Sequence, residues 1–171
     1  RAFLRVCRDQ RPIFASSASA GLGVPPCAAF DISAACGGFL YALALAQNFL
    51  TAGQARHALV IGAEKLSCFL DWNDRSTCVL FGDGAGAIVL SAEAPQTAAP
   101  QTAGRATYLC AGGRLAEHLY ADGGPSTTAT VGKVRMNGKE VFRNAVEHIS
   151  NAVLEVTERA QIGRASCRER V

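Results

Sequence analysis

Cys36 is the residue best placed for covalent chemistry. It stands in Asp31-Ile32-Ser33-Ala34-Ala35-Cys36-Gly37-Gly38-Phe39, where a short apolar run meets a long one extending from Phe39 to Leu50. Ala35, Gly37 and Gly38 leave the thiol open to a bulky acyl group. A cysteine opening a helix feels the positive end of the helix dipole and unpaired backbone N–H groups, and both favour thiolate over thiol. A thiolate is a nucleophile suited to thioesters. The plain alternative is inert core filler, the state of most cysteines in a cytosolic domain.

No other cluster competes. The seven cysteines, at positions 7, 27, 36, 68, 78, 110 and 167, are odd in number and form no CxxC pair. That spacing argues against a zinc ribbon, a redox dithiol or a disulfide framework, and a reducing cytoplasm is the natural compartment. His57, His118 and His148 have no metal-ligand spacing with each other or with any cysteine. No metal site and no cofactor are expected.

The segments around Cys36 must position it. Phe39 to Leu50 is apolar on nearly all faces, which predicts a helix buried in a domain centre, and Thr51-Ala52-Gly53 supplies a glycine stop. His57 to Ala63 reads as a buried strand, and Thr77–Phe81 and Ala87–Leu90 as two further strands joined by Gly82-Asp83-Gly84-Ala85-Gly86. Those glycines invite a dinucleotide reading, but that fingerprint needs a helix after its glycines. Here strand-like Ala87-Ile88-Val89-Leu90 follows, so no nucleotide site is assigned. Residues 92–104, rich in Ala, Pro, Gln and Thr, read as a flexible connection. Lys139 to Ala160 is predicted helical, with Val141, Phe142, Ala145, Val146, Ile149, Val153 and Val156 on one broad face.

The 171 residues suffice for one domain or part of a larger one; 49% are hydrophobic and 18% charged, so a substantial core is expected. A net charge of +3 is too small to argue for nucleic acid. No apolar run reaches the length of about 18 residues that a membrane span needs. Both ends look foreign. Residues 1–20 carry Arg1, Arg5, Arg8 and Arg11 before a Ser/Ala run, and we read them as a foreign or out-of-frame segment in preference to a targeting signal. Residues 162–171 switch abruptly to a basic pattern resembling a translated sequencing adapter, and are set aside as a non-native tail. The chain is expected to be an internal piece of a longer protein.

The segment Phe30 to Leu43 resembles the nucleophile region of β-ketoacyl-[acyl carrier protein] synthase III, a family of thiolase fold. Further matches follow in order: Ala58–Glu64, Asp71–Thr77, Leu80–Ala87 and Met136–Phe142. The resemblance runs from about Gly21 to Gln161 and is loose between Ser91 and Val134. It implies a layered α/β/α/β/α fold, incomplete, containing the end of a first half (21–91), a connecting region (92–134) and the start of a second half (135–161). It also implies a cytoplasmic homodimer that binds neither nucleic acid nor membrane.

The activity implied is condensation of a short acyl-CoA with malonyl-[acyl carrier protein] through an acyl-cysteine on Cys36, the step that initiates type II fatty-acid synthesis. Arg75 matches an arginine beside the adenine and phosphate end of coenzyme A; a solvated Asp74–Arg75 pair is the alternative. Leu66 and Phe81 match acyl-pocket positions, which is compatible with simple core packing. Asn137 and Gly138 match the pantetheine tunnel. Phe142 matches an aromatic at its mouth, but fits a buried helix face equally well. Arg143 matches a basic position touching the acidic carrier protein, against the usual solvated surface arginine. The family's Pro-His-Gln-Ala-Asn and Gly-Asn-Thr-Ser strings, which supply its charge-stabilising His and Asn, do not occur in this sequence. Two other readings stand beside this one. The first is a related thiolase-fold enzyme making a polyketide or alkylquinolone, and the second is a non-catalytic fragment.

Overall fold

The computed structural model describes residues 2–7, 14–92, 106–124, 126 and 128–160. The basic tail at 162–171, and nearly all of the connection expected at 92–104, lie outside the described residues. The chain divides into two compact units, Arg1–Gln96 and Thr97–Val171.

The first unit is a four-stranded sheet with helices. In chain order it contains β1 (Ala2–Cys7), α1 (Phe14–Gly21), β2 (Ala28–Ile32), a 3-10 turn (Ala35–Gly37), α2 (Gly38–Thr51), β3 (His57–Lys65), a second 3-10 turn (Leu66–Cys68) and β4 (Asp83–Ser91). The strand order is β2-β1-β3-β4. Strands β2, β1 and β3 run parallel, with Ala2 opposite both Ala28 and Ala58. β4 is antiparallel to β3, from His57↔Ser91 to Lys65↔Asp83.

α2 explains why the core forms where it does. Gly38, Ala42 and Ala46 lie four residues apart on one face and are its buried positions. These small side chains let the helix lie close on the sheet, where Ala42 and Ala46 join Ala55, Ala58 and Val60 in the core. Phe30, Ile32, Phe39, Phe49, Leu50 and Leu90 pack around that cluster. The helix ends as its glycine predicts: Gly53 adopts φ +69°, and Ala52, Gly53 and Gln54 donate back to the carbonyls of Asn48, Leu50 and Phe49.

The structure departs from the sequence reading in four places. Residues 1–20 are set apart above as foreign, yet Ala2–Cys7 forms a strand hydrogen-bonded on both sides and Phe14–Gly21 a helix. The apolar run Ala2-Phe3-Leu4, resumed at Val6, suffices for a strand despite Arg5. Thr77–Phe81 is not a strand but part of a run of turns from Arg75 to Leu80. Asp74 is the physical cause. Its carboxylate accepts from the backbone N–H and hydroxyl of Ser76 (3.0 and 2.6 Å) and from the hydroxyl of Thr77 (2.9 Å), while its carbonyl accepts from the N–H groups of Thr77 and Cys78. These local bonds outcompete a ladder, so Val79 is left 70% exposed instead of packed in a sheet. Gly84 and Gly86 do not link two strands; they lie inside β4, opposite Glu64 and Gly62. Finally, α2 is not buried on all sides, because the sheet covers one face and Leu40 is 56% exposed on another.

The second unit contains a 3-10 segment (Gly113–His118), a two-stranded antiparallel ladder of β5 (Leu119–Ala121) and β6 (Val134–Met136), and α3 (Gly138–Arg159). Asp122 closes the hairpin, accepting from the Lys133 N–H and from Arg135 Nε, each at 2.6 Å. Those bonds hold its carboxyl below the ordinary carboxylate value. Gly123 and Gly132 cross so closely that a Cβ on either would overlap the backbone of the other.

Candidate active site

Topology gathers the chemistry of the first unit at one edge of its sheet. Because β2 and β3 are parallel, their carboxyl ends share an edge, the usual place for ligands in open α/β sheets. Cys36 follows β2, Leu66 follows β3, and antiparallel β4 begins at that same edge with Asp83. His57, which opens β3, lies at the opposite edge and is no partner for Cys36.

The chain turns sharply to present Cys36. Ala34 is at φ −143°, and Ala35 then enters the left-handed region at φ +44°. That conformation costs an alanine roughly 1–2 kcal/mol. Cys36 and Gly37 continue as a 3-10 turn directly into α2, whose first residue, Gly38, donates to the Ala35 carbonyl. The thiol therefore stands just before the first turn of a helix whose next face is packed on the sheet, and Cys36 is exposed. One turn on, Phe39 packs against Gly62 of β3, where an added Cβ would sit 3.2 Å from the ring. Glycine at 62 thus lets the start of α2 seat on the sheet.

Exposure alone does not single out Cys36. Cys68 and Cys110 are also exposed, and Cys27 and Cys78 are half-buried. The distinguishing features are the left-handed residue before it and the helix after it.

Leu66 and Phe81 are both half-buried and flank a polar clasp that the sequence reading missed. The Ser67 N–H donates to one Asp83 carboxylate oxygen (2.8 Å) and the Ser67 hydroxyl to the other (2.7 Å). The two donations hold the Asp83 carboxyl below its ordinary value, with Lys65 adding a smaller attraction. The one signal available in sequence was an aspartate between two glycines, Gly82-Asp83-Gly84. Arg75 is exposed on the intervening loop. Asp74 spends its carboxylate on Ser76 and Thr77, and no ion pair joins it to Arg75 among the described residues. The loop is pinned by Leu70 and Thr77, both fully buried.

The other candidate residues belong to the second unit. Asn137 caps α3, its side chain accepting from the Glu140 N–H at 3.4 Å, and Gly138 is the first helical residue. Phe142 is 72% exposed, not buried on the helix face. Arg143 pairs with Glu140 at 2.6 Å, one turn back on the same helix. Cys36, Leu66, Arg75 and Phe81 therefore share one unit, and Asn137, Gly138, Phe142 and Arg143 share the other. Among the described residues no group of three His, Cys, Asp or Glu side chains is arranged to hold a metal ion. No described helix is long and apolar enough to cross a membrane.

Residues 30–104, which include Cys36 and the loop to β4, match the family model of 3-oxoacyl-[acyl-carrier-protein] synthase III. A β-ketoacyl-[acyl-carrier-protein] synthase III of Sphingopyxis alaskensis is 57% identical over 145 residues, covering 85% of this chain and 44% of that protein. Over 85% of its length the chain is similar to the 3-oxoacyl-[acyl-carrier-protein] synthases III. The solved family member from Aquifex aeolicus superposes with a TM-score of 0.76 at 40% identity, covering 94% of this chain and 49% of that one. The member from Thermus thermophilus gives 0.79 at 36% identity, covering 94% and 50%. The fold is thus that of the thiolase-like synthases, and the chain spans about half the length of its relatives. A priming β-ketosynthase of the R1128 polyketide pathway also matches, at 30% identity and a TM-score of 0.73 over 88% of this chain and 46% of that one.

Proposed function

We propose that this chain carries the nucleophilic half of an acyl-condensing enzyme and that Cys36 takes up the acyl group of a short acyl-CoA. The observation carrying this is the exposed thiol of Cys36 between left-handed Ala35 and the first turn of α2, at the sheet edge where β2 and β3 end. The thiolate adds to the thioester carbonyl. The bond to the CoA sulfur then breaks, the CoA thiolate leaves and takes a proton, and the acyl group stays on Cys36 as a new thioester. In the second step malonyl-[acyl carrier protein] loses carbon dioxide and its enolate carbon attacks the acyl-cysteine. The carbon–carbon bond forms as the Cys36 thiolate is released. That step needs hydrogen-bond donors aimed at the malonyl thioester oxygen, and we assign no residue of these 171 to that role.

Arg75, exposed and without an ion pair among the described residues, is the cation for the phosphate end of CoA. Leu66 and Phe81 wall the acyl pocket, and Asn137, Gly138 and Phe142 follow the pantetheine arm. Arg143 meets the acidic carrier protein, a role that requires it to exchange Glu140 for the new partner. We place residues 21–91 in the nucleophile-bearing half, 92–134 in the connection and 135–161 at the start of the second half, in a cytoplasmic homodimer. The curated β-ketoacyl-[acyl-carrier-protein] synthases III at 51–57% identity support this role over that of a polyketide priming enzyme.

The test is to incubate the full chain with acetyl-CoA and measure its intact mass. One acetyl group on wild type and none on Cys36→Ala is expected, with no malonyl-dependent product from the chain alone. Equal acetylation of both would overturn the assignment of Cys36. A β-ketoacyl product would overturn the reading that the condensing donors lie elsewhere.

A further inference from the structure

The Ser67–Asp83 clasp bridges two segments 16 residues apart at the base of the loop that carries Arg75. The β3–β4 ladder ends with Lys65 opposite Asp83. Beyond that pair no backbone partner faces the Ser67 N–H, and the Asp83 side chain takes it instead, together with the hydroxyl. The clasp therefore extends the ladder by one step with side-chain atoms. Leu66 immediately precedes Ser67, and Phe81 lies two residues before Asp83. Gly82, the one residue between Phe81 and β4, has nothing within 4 Å of where a Cβ would be, so packing does not hold this approach to the strand.

We propose that Asp83 and Ser67 are positioning residues that hold Leu66 and Phe81 in register, and so set which acyl-chain lengths the site accepts. The proposal rests on the reading of Leu66 and Phe81 as pocket walls. A carboxylate taking two donations is stiffer than either bond alone, since charge-assisted bonds are short and directional. With the clasp open, both walls can retreat, and a longer acyl chain gains room that acetyl does not need.

The test compares acyl transfer to the full chain from acetyl-CoA and from hexanoyl-CoA, as the second-order acylation rate constant for each. In Asp83→Asn the preference between the two should move by about tenfold toward hexanoyl. In Ser67→Ala, which keeps the backbone N–H, the shift should be smaller, about threefold. Ser67→Thr, which restores the hydroxyl, should return the wild-type preference. Alkylation of Cys36 by iodoacetamide should stay within about twofold in all three, which separates a pocket effect from unfolding. An unchanged preference in Asp83→Asn with unchanged alkylation would overturn the proposal. Should wild type accept neither thioester, the functional reading fails, and trypsin cleavage after Arg75 decides on the clasp itself. Faster cleavage in Asp83→Asn upholds the clasp as the device fixing the loop, and an equal rate overturns it.

Discussion

α2 and α3 differ in a way their sequences conceal. α2 is apolar almost throughout, yet its fully buried positions are small: Gly38, Ala42 and Ala46, seated on β1, β2 and β3. α3 is amphipathic, with a broad apolar stripe, yet Phe142, Val146, Ile149, Val153 and Leu154 are all exposed, and no residue of α3 is fully buried. An apolar face records that a helix needs a partner, and close packing records that it has one. α2 has its partner in the sheet of its own unit. Among the described residues α3 has the 3-10 segment, the cap at Asn137 and the contacts of Arg159 with Thr107 and Tyr108. Cys36 stands at the start of the helix that is packed.

Mutations should separate the two helices sharply. Ala46→Leu forces three extra carbons into a position with no exposed surface, and should cost about 3 kcal/mol in denaturant unfolding. A loss below 1 kcal/mol would mean that α2 does not lie close on the sheet. At the other end of α2, Ala35→Gly should raise stability by about 0.5 kcal/mol, because release of the left-handed strain slightly exceeds the entropy cost of glycine. A clear destabilisation there would show that Ala35 is not held at positive φ. In α3, Ile149→Glu should alter stability by less than about 0.5 kcal/mol while lowering the fluorescence of a dye that binds apolar surface. A large loss of stability would mean that the α3 stripe is packed after all.

The smallest expected effect is the acid response. Asp83 and Asp122 both titrate below the ordinary 3.8 in the folded chain, so the unfolded chain binds more protons near that pH. Their contribution is in full force above pH 3.8 and fades as the pH falls through the lower folded values. Acid unfolding monitored by circular dichroism should begin at a higher pH in Asp83→Asn and be less steep. An unchanged profile would indicate that Ser67 does not hold the Asp83 charge.

Much of this was legible in the sequence where a single pattern dominated. The apolar run of α2, its glycine stop, β3 and the periodic α3 all appear within a residue or two of their expected bounds. Thr77–Phe81 misleads because its β-branched and aromatic residues read as strand, while the decisive group, Asp74, lies outside the run and acts through side-chain hydrogen bonds. The Ser67–Asp83 clasp is invisible for a different reason. It joins residues 16 apart through a turn that periodicity does not register. The strain at Ala35 could not be read at all, since alanine carries no signal for positive φ. The accessible helix start at Cys36 was legible, because small residues before a long apolar run mark one.

The proposed nucleophile, Cys36, is the centre of the account, and exposure does not decide its role, since Cys36, Cys68 and Cys110 are all exposed. The direct measurement is competitive alkylation of the native full chain with limiting iodoacetamide, read cysteine by cysteine by peptide mass spectrometry. The account predicts that Cys36 is modified first, about tenfold faster than Cys68 or Cys110, and that prior acetyl-CoA protects it alone. Labelling of Cys68 at a rate equal to or above that of Cys36, with no protection by acetyl-CoA, would contradict it.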